Sequence, residues 1–276
     1  MTPHGAMLQP FLDAALQLGH AGGQVLLDRR ASLHRRAESK GRRRELVTEA
    51  DRAAERVVVG GLLERFPDHA MIAEEGVLTE QGRTSKPADW TWIVDPLDGT
   101  TNYVHGLPFF AVAIGLAFRG EPVVGVVHAP ALGETFAAAR GLGARRRFAD
   151  GSEQVLRVSA TAELADGLFA TGFAYNRNEP GADDNSAALA RVLPHCRDLR
   201  RLGSAELDLC LVAAGVYDGY WEAYLQPYDV AAGAVLVQEA GGRVTDYAGG
   251  QDWLFSGRVV ATNGLLQEPL RALVVG

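Results

Sequence analysis

Cysteine and long apolar runs are both scarce in this chain of 276 residues. Its two cysteines, Cys196 and Cys210, are too few and too widely spaced for a disulfide framework or a cysteine metal knuckle. The longest nearly unbroken apolar run, residues 109–118, is too short to span a bilayer, and the first residues lack the basic start and apolar core of a signal peptide. We therefore expect a cytoplasmic protein with reduced thiols and no contact with a membrane.

The charge balance is acidic, with 27 Lys and Arg against 34 Asp and Glu and a formal net charge of −7. Because the summed field repels polyanions, nucleic acid is not the expected partner. The basic run at residues 29–44 is a local exception. It lacks apolar periodicity, and we interpret it as an exposed connection between two helices.

Hydrophobic periodicity predicts a layered α/β architecture. Helices are expected at residues 7–27 and, after a capping box at Thr48 to Asp51, at about 49–65. Short β runs at 70–73, 90–94, 110–118, 123–127 and 134–139 predict a meandering sheet. Further β runs at 168–171, 217–221, 243–245 and 259–262 alternate with helical segments at 184–193, 205–214 and 230–240. The hydrophobic pattern is interrupted at residues 140–150. This interruption predicts a boundary between an N-terminal half, 1–148, and a C-terminal half, 149–276.

Candidate functional residues are most concentrated at positions 95–102, which read Asp-Pro-Leu-Asp-Gly-Thr-Thr-Asn. An apolar strand brings Asp95 to its end, Pro96 is expected to stop the ladder, and Asp98 returns in a tight turn, so two carboxylates converge. Hard oxygen ligands of this kind suit Mg²⁺ or Mn²⁺ better than Zn²⁺. Gly99 and Thr100 offer backbone N–H groups and a hydroxyl to a phosphate. The same residues are common turn formers, so this loop alone favours a metal site and a plain turn about equally.

Three further acids are candidates for the same site. Glu74 follows an apolar strand and precedes Glu75, so the two carboxylates are expected to point to opposite faces. Asp229 precedes an alanine-rich helix, and Asp51 lies in the predicted capping box. Each also has an ordinary structural explanation, as a solvated loop residue, an N-cap or the last residue of a capping box.

The order of these motifs along the chain resembles that of the inositol monophosphatase family, and the likeness covers nearly the whole sequence. It includes Gly203-Ser204-Ala205 and Tyr220-Trp221-Glu222. The chain departs from the common pattern at Tyr228, where a Trp usually precedes the last acid, and in its arginine-rich residues 42–44.

The resemblance implies an αβαβα sandwich of the inositol monophosphatase and fructose-1,6-bisphosphatase type, a homodimer, and Mg²⁺-dependent, Li⁺-sensitive hydrolysis of a phosphate monoester. Carried over by residue, one Mg²⁺ is held by Glu74, Asp95 and the Leu97 carbonyl, and a second by Asp95, Asp98 and Asp229. A third Mg²⁺ ion is bound more weakly and contacts Glu74 through its water shell, and Mn²⁺ is expected to substitute for Mg²⁺.

The resemblance also assigns the catalytic pair and the substrate contacts. Thr100, hydrogen-bonded to Asp51, orients the attacking water, while the N–H groups of Gly99 and Thr100 hold the phosphate. The substrate alcohol is expected to contact Gly203, Ser204, Ala205 and Glu222. Inositol 1-phosphate is the predicted substrate. Histidinol phosphate, fructose 1,6-bisphosphate and 3′-phosphoadenosine compounds are the enzymatic alternatives, and a role in transcription antitermination, binding RNA or protein, is the non-enzymatic one.

Overall fold

The computed structural model describes residues 3–36, 43–78, 88–174 and 184–276. Two β-sheets organise these residues. The first has seven strands in the sequence order β1 to β7. They are β1 (Ala70–Ala73), β2 (Trp90–Asp98), β3 (Ala111–Phe118), β4 (Glu121–Ala129), β5 (Glu134–Ala139), β6 (Gly143–Phe148) and β7 (Glu153–Val155). β1 pairs with β2 in parallel, and every later pairing is antiparallel, so most of the sheet is the expected meander.

The second sheet has five strands in the order β11-β12-β10-β8-β9. They are β8 (Leu168–Thr171), β9 (Asp198–Arg200), β10 (Gly219–Ala223), β11 (Arg243–Thr245) and β12 (Arg258–Thr262). β8 runs parallel to β9 and β10, whereas β12 runs antiparallel to β10 and β11.

Helices cover both sheets and separate them. They are α1 (Gln9–Arg36), α2 (Arg43–Arg65), α3 (Thr100–His105), α4 (Ser186–Val192), α5 (Ala205–Ala213), α6 (Ala231–Glu239) and α7 (Gln267–Val275). α1 and α2 pack on the outer face of the first sheet, α5 and α6 lie between the sheets, and α4 and α7 cover the second sheet. The five layers confirm the predicted αβαβα sandwich.

Small residues let α6 approach the first sheet closely. A Cβ on Gly125 of β4 would lie 2.2 Å from the Ala232 carbonyl oxygen, and one on Gly115 of β3 would lie 2.9 Å from the Ala231 Cβ. Glycine at both positions therefore fixes how deeply the start of α6 sits, and Asp229 lies just before that start.

The prediction that the basic segment is a connection is wrong at both of its ends. Residues 29–36 continue α1, and α2 begins at Arg43, so Thr48 and Asp51 lie inside a helix rather than at its start. Arginine, leucine and alanine are good helix formers, and α1 packs along α2, which favours helix where apolar periodicity is weak. Residues 37–42 of the predicted connection, Lys40 and Arg42 among them, lie outside the described residues.

Other elements differ from prediction at their edges. The 140–150 stretch contains β6, and the first sheet continues to Val155; β9 and α7 were also unpredicted. Pro96 does not end β2. Pairing with β3 passes from Asp95–Ala113 to Asp98–Ala111, so a bulge accommodates the proline and β2 continues to Asp98. The division into halves at 148 stays a prediction.

Within the part of the chain that the structure describes, no helix is long and apolar enough to cross a membrane.

Candidate active site

A cleft of about 120 Å³ opens where the ends of β1 and β2 meet the starts of α3 and α5 and the turn before α6. Its lining includes nearly all of the predicted site residues: Glu74, Asp95, Leu97, Asp98, Gly99, Thr100, Gly203, Ser204, Ala205, Glu222 and Asp229. The fold therefore gathers residues from both sheets into one cleft. Asp51 is not among the described lining residues, but it lies near enough to raise the pKa of Asp95.

The β2 bulge places Asp95 and Asp98 on the same cleft. The Leu97 N–H donates to Asp95 Oδ1 at 2.9 Å, which holds the bulge and the carboxylate together. Both residues are buried, Asp95 with 2% and Asp98 with 7% of its surface exposed. Two carboxylates therefore converge as the motif predicts, through a bulge rather than a turn after the strand.

Asp98 also binds the start of α5. Its Oδ2 accepts hydrogen bonds from the Ser204 hydroxyl at 2.5 Å and the Glu206 N–H at 2.9 Å, and its Oδ1 accepts one from the Ala205 N–H at 3.2 Å. The N-terminus of a helix leaves N–H groups unpaired, and a carboxylate satisfies them. The second half of the chain thus contributes the partners that orient Asp98.

Asp229 ends a short 3₁₀ helix, Pro227–Asp229, just before α6. Its Oδ2 accepts from the Gln226 N–H at 2.6 Å, so the carboxylate turns back onto its own turn. The alternative interpretation of Asp229 as the N-cap of α6 is wrong, because Val230 occupies that position.

Glu74 lies in the loop after β1 and faces the cleft, while Glu75 pairs with Arg52 at 3.3 Å on the exposed side, as the alternation predicts. A buried glutamate on α2 fixes this loop. The two carboxylate oxygens of Glu55 accept from the Glu75 N–H at 2.8 Å and the Val77 N–H at 2.5 Å. Sequence reasoning missed Glu55, whose position within a helical pattern gave no signal of this contact.

The acids of the cleft disfavour each other's ionised forms. Burial, followed by the charges of Glu74, Asp98 and Asp229, raises the pKa of Asp95 well above its usual value. Burial also raises the pKa of Glu74 to about 7, partly opposed by a hydrogen bond with Asp95, and burial raises the pKa of Asp98 and Asp229. Arg201 is the one Lys or Arg among the described lining residues.

This donor set fits a hard divalent cation. Buried carboxylates that repel each other bind a cation to offset their charge, and oxygen donors are those that Mg²⁺ prefers. Among the described residues, no group of three or more His, Cys, Asp or Glu side chains is already arranged to hold a metal ion. The hydrogen bonds that Asp98 and Asp229 accept show why, since part of each carboxylate is directed to a backbone or hydroxyl donor.

The predicted hydrogen bond between Thr100 and Asp51 is not formed. The Thr100 hydroxyl donates to the Leu97 carbonyl at 3.1 Å. Asp51 Oδ1 is buried and has no hydrogen-bond partner among the described residues. Burial, with the charges of Glu74 and Glu75 next, raises the pKa of Asp51 to about 9. A buried acceptor without a donor lowers the stability of the fold, which indicates that Asp51 has a role other than packing.

Gly99 has a conformation and a space that only glycine fits. Its φ is +87°, and a Cβ there would lie 2.9 Å from the Phe109 carbonyl oxygen. It immediately precedes α3, which begins at Thr100.

The other side of the cleft carries Glu222 on β10. The Tyr220 hydroxyl donates to Glu222 Oε2 at 2.5 Å, and burial raises the pKa of Glu222 to about 7. Sequence reasoning missed two neighbours, Arg201 and Asp208, which also line the cleft. Asp208 Oδ1 is buried and unpartnered among the described residues, although the α5 pattern alone marks it only as an acid in a first helical turn.

A five-layer α/β sandwich with an acidic cleft at its strand ends defines a class of phosphate-ester hydrolases. The model of the inositol monophosphatase family matches residues 7–275. The chain belongs to the inositol monophosphatase family, and it is a phosphatase.

The similar proteins carry two kinds of name. The chain is 40% identical over 257 residues to the Nus factor SuhB of Pseudomonas aeruginosa, covering 93% of this chain and 92% of that protein. It is also 40% identical over 263 residues to the inositol-1-monophosphatase of Synechocystis, covering 95% and 88% of the two chains. The solved structure of an inositol monophosphatase from Anabaena matches with a TM-score of 0.84 and 40% identity, covering 97% of this chain and 96% of that one.

Proposed function

We propose that this phosphatase hydrolyses inositol 1-phosphate to myo-inositol and phosphate and that the reaction depends on Mg²⁺. The observation that carries the proposal is the convergence of Glu74, Asp95, Asp98 and Asp229 in one cleft that also contains Glu222. The similar inositol-1-monophosphatase of Synechocystis supports the substrate.

The proposed ligands follow from the carboxylates of the cleft. Glu74, Asp95 and the Leu97 carbonyl would hold one Mg²⁺, and Asp95, Asp98 and Asp229 would hold a second. A third ion would bind more weakly near Glu74, and Mn²⁺ would substitute for Mg²⁺. When bound, these ions supply positive charge to the phosphate oxygens and lower the pKa of water, which is the chemistry that a slow monoester hydrolysis needs.

The chain's own groups hold the phosphate and the attacking water. The N–H groups of Gly99 and Thr100 lie at the start of α3, where backbone N–H groups lack an acceptor within the helix and can bind phosphate oxygens. Thr100 and Asp51 orient the water. The unpartnered Oδ1 of Asp51 supports this role, because Thr100 supplies the missing donor once its hydroxyl leaves the Leu97 carbonyl.

The alcohol half of the substrate lies against Glu222, with Gly203, Ser204 and Ala205 at its border. The Glu222 carboxylate accepts hydrogen bonds from polyol hydroxyls. Histidinol phosphate, fructose 1,6-bisphosphate and 3′-phosphoadenosine 5′-phosphate present different groups to the same carboxylate. They are the alternative substrates.

Phosphate release from these four esters, with Mg²⁺ and with EDTA, tests the proposal. We expect Mg²⁺-dependent turnover, highest for inositol 1-phosphate. If another ester is hydrolysed faster by an order of magnitude or more, the substrate assignment is wrong and the proposed hydrolysis still holds. If no ester is hydrolysed, the proposed hydrolysis is wrong.

A second candidate function follows from the relatives named Nus factor SuhB. We propose a role in transcription antitermination as the alternative, with the basic segment at 29–44 contacting RNA or an acidic protein. Within that segment Arg29 lies 4.0 Å from Glu49. RNA binding at low salt that is retained in Asp95→Asn would support it, and no binding at low salt would exclude RNA as the partner.

We also propose that the protein works in the cytoplasm and forms a homodimer. The dimer rests on the family resemblance, and light scattering of the purified chain tests it. A monomer at micromolar concentration would contradict it.

A further inference from the structure

The start of α6 is bound by a side chain from another helix. Val230, its N-cap residue, has no side chain that can accept a hydrogen bond. Glu206, in the first turn of α5 and fully buried, supplies the acceptors instead. Its Oε1 accepts from the Ala232 N–H at 3.1 Å and its Oε2 from the Gly233 N–H at 2.5 Å.

The same residue also contacts Asp98 through its backbone. The Glu206 N–H donates to Asp98 Oδ2 at 2.9 Å. One residue therefore joins Asp98 to α6, which begins two residues after Asp229. Asp98 ends β2 and Asp229 lies in the 3₁₀ helix before α6, and Glu206 is a direct hydrogen-bonded link between the segments that carry them.

This arrangement changes what Asp229 is free to do. The carboxylate of an aspartate just before a helix commonly accepts hydrogen bonds from the first N–H groups of that helix. Here Glu206 accepts from two N–H groups in the first turn of α6, and among the described residues the Asp229 carboxylate accepts from the N–H of Gln226 within its own turn. The remaining lone pairs of Asp229 are available to the cleft that it lines.

The sequence around Gly233 makes room for the Glu206 side chain. A Cβ on Gly233 would lie 2.7 Å from Glu206 Oε2 and 2.6 Å from the Leu209 Cβ. Any larger residue there would displace the carboxylate or the helix. Glycine at 233 and glutamate at 206 therefore form a matched pair.

We propose that Glu206 is a positioning residue that sets the Mg²⁺ affinity of the cleft by fixing the turn of Asp229 relative to Asp98. The inference rests on the proposed Mg²⁺ site. Groups that orient ligands without touching the metal typically change metal affinity by about 10- to 100-fold when they are replaced.

The test measures Mg²⁺ binding to the full chain without turnover, by a calorimetric titration whose midpoint is the free Mg²⁺ concentration at which half of the sites are filled. Glu206→Gln keeps the size of the side chain and removes one acceptor oxygen. Asp218→Asn is the matched control. Asp218 is also buried and accepts from the Leu168 N–H at 2.7 Å and the Ser159 hydroxyl at 2.5 Å, but it does not line the cleft.

We expect Glu206→Gln to raise the midpoint about tenfold or more. We expect Asp218→Asn to lower the melting temperature while leaving the midpoint within about twofold of wild type. Gly233→Ala disturbs the same contact from the other side and is expected to raise the midpoint as Glu206→Gln does.

An unchanged midpoint in a folded Glu206→Gln would overturn the inference, and Gly233→Ala decides if that variant does not fold. Failure of both to fold would also overturn it, since the carboxylate would then serve the fold itself. Wild-type protein that binds Mg²⁺ without hydrolysing any ester would remove the proposed reaction and leave this inference standing. Wild-type protein that binds no Mg²⁺ would remove both.

Discussion

The Ser204 hydroxyl donates to Asp98 Oδ2 at 2.5 Å across 106 positions of sequence. Asp98 ends a strand of the first sheet, and Ser204 is the N-cap residue of α5. The orientation of Asp98 therefore depends on a segment that is distant in the sequence, the start of α5.

Ser204→Ala is expected to lower kcat/KM about 10- to 100-fold. A hydrogen bond to a charged group is worth about 1.5 to 3 kcal/mol, and Asp98 would lose this one in a buried position. Steady-state phosphate release at saturating Mg²⁺ measures the effect. Ser204→Thr keeps the hydroxyl and should stay within a fewfold of wild type; equal losses in both variants would show that the hydroxyl is unimportant.

Gly99→Ala is expected to destabilise the fold more than Gly120→Ala does. Both glycines have positive φ, +87° and +85°, so an alanine strains either by about 1 to 2 kcal/mol. At Gly120 a Cβ meets nothing within 4 Å, whereas at Gly99 it meets the Phe109 carbonyl at 2.9 Å. Urea unfolding of the two variants gives the difference. Equal free energies of unfolding would contradict the close approach at Gly99.

Glu222→Gln is expected to weaken binding of the polyol selectively. The variant should raise KM for inositol 1-phosphate about tenfold and leave KM for p-nitrophenyl phosphate, which has no hydroxyl to donate, within about twofold. Tyr220→Phe, which removes the hydroxyl that donates to Glu222 Oε2, should give a smaller change in the same direction. A parallel rise for both esters would mean that Glu222 acts on the phosphate side instead.

His128 is expected to make the protein less stable in acid. Burial, then the charge of His20, lowers the pKa of His128 from 6.5 to about 4. His20 Nε2 and His128 Nδ1 each lie 2.9 Å from the hydroxyl oxygen of Thr135. Between pH 6.5 and 4 the unfolded chain binds a proton that the folded chain does not, so this contribution falls by about 3 kcal/mol as the pH falls.

Urea unfolding of wild type and His128→Asn at pH 7.5 and pH 4 isolates that contribution. The acids of the cleft titrate in both proteins, and their effect cancels in the comparison. The variant should lose less stability than wild type on acidification. An equal loss in the two proteins would show that His128 is not held neutral.

Most strands and the acidic motifs were predictable because they depend on local pattern. β1, β5, β8 and β11 have the predicted bounds, since short apolar runs between turn residues specify strands without distant contacts. The residues that face the cleft could also be selected, because the family resemblance gives their order along the chain.

The contacts between segments could not be predicted. Nothing near Glu55 or Glu206 in the sequence shows which backbone N–H groups their carboxylates bind, because those groups lie 20 to 27 positions away. The prediction that Pro96 ends the strand failed for a related reason. A proline usually ends a strand, but pairing with β3 on both sides of the bulge keeps β2 continuous.

We propose that Asp95 and the acids around it form a Mg²⁺-dependent hydrolytic site. The decisive experiment is phosphate release from inositol 1-phosphate by wild type and Asp95→Asn, each titrated with Mg²⁺ and then with EDTA. Asp198→Asn, an exposed aspartate on β9, is the control. We predict wild-type turnover that EDTA abolishes, a loss of about 1,000-fold or more in Asp95→Asn, and an unchanged control. Turnover that persists in EDTA, or in Asp95→Asn, would show that the acids of the cleft do not form such a site.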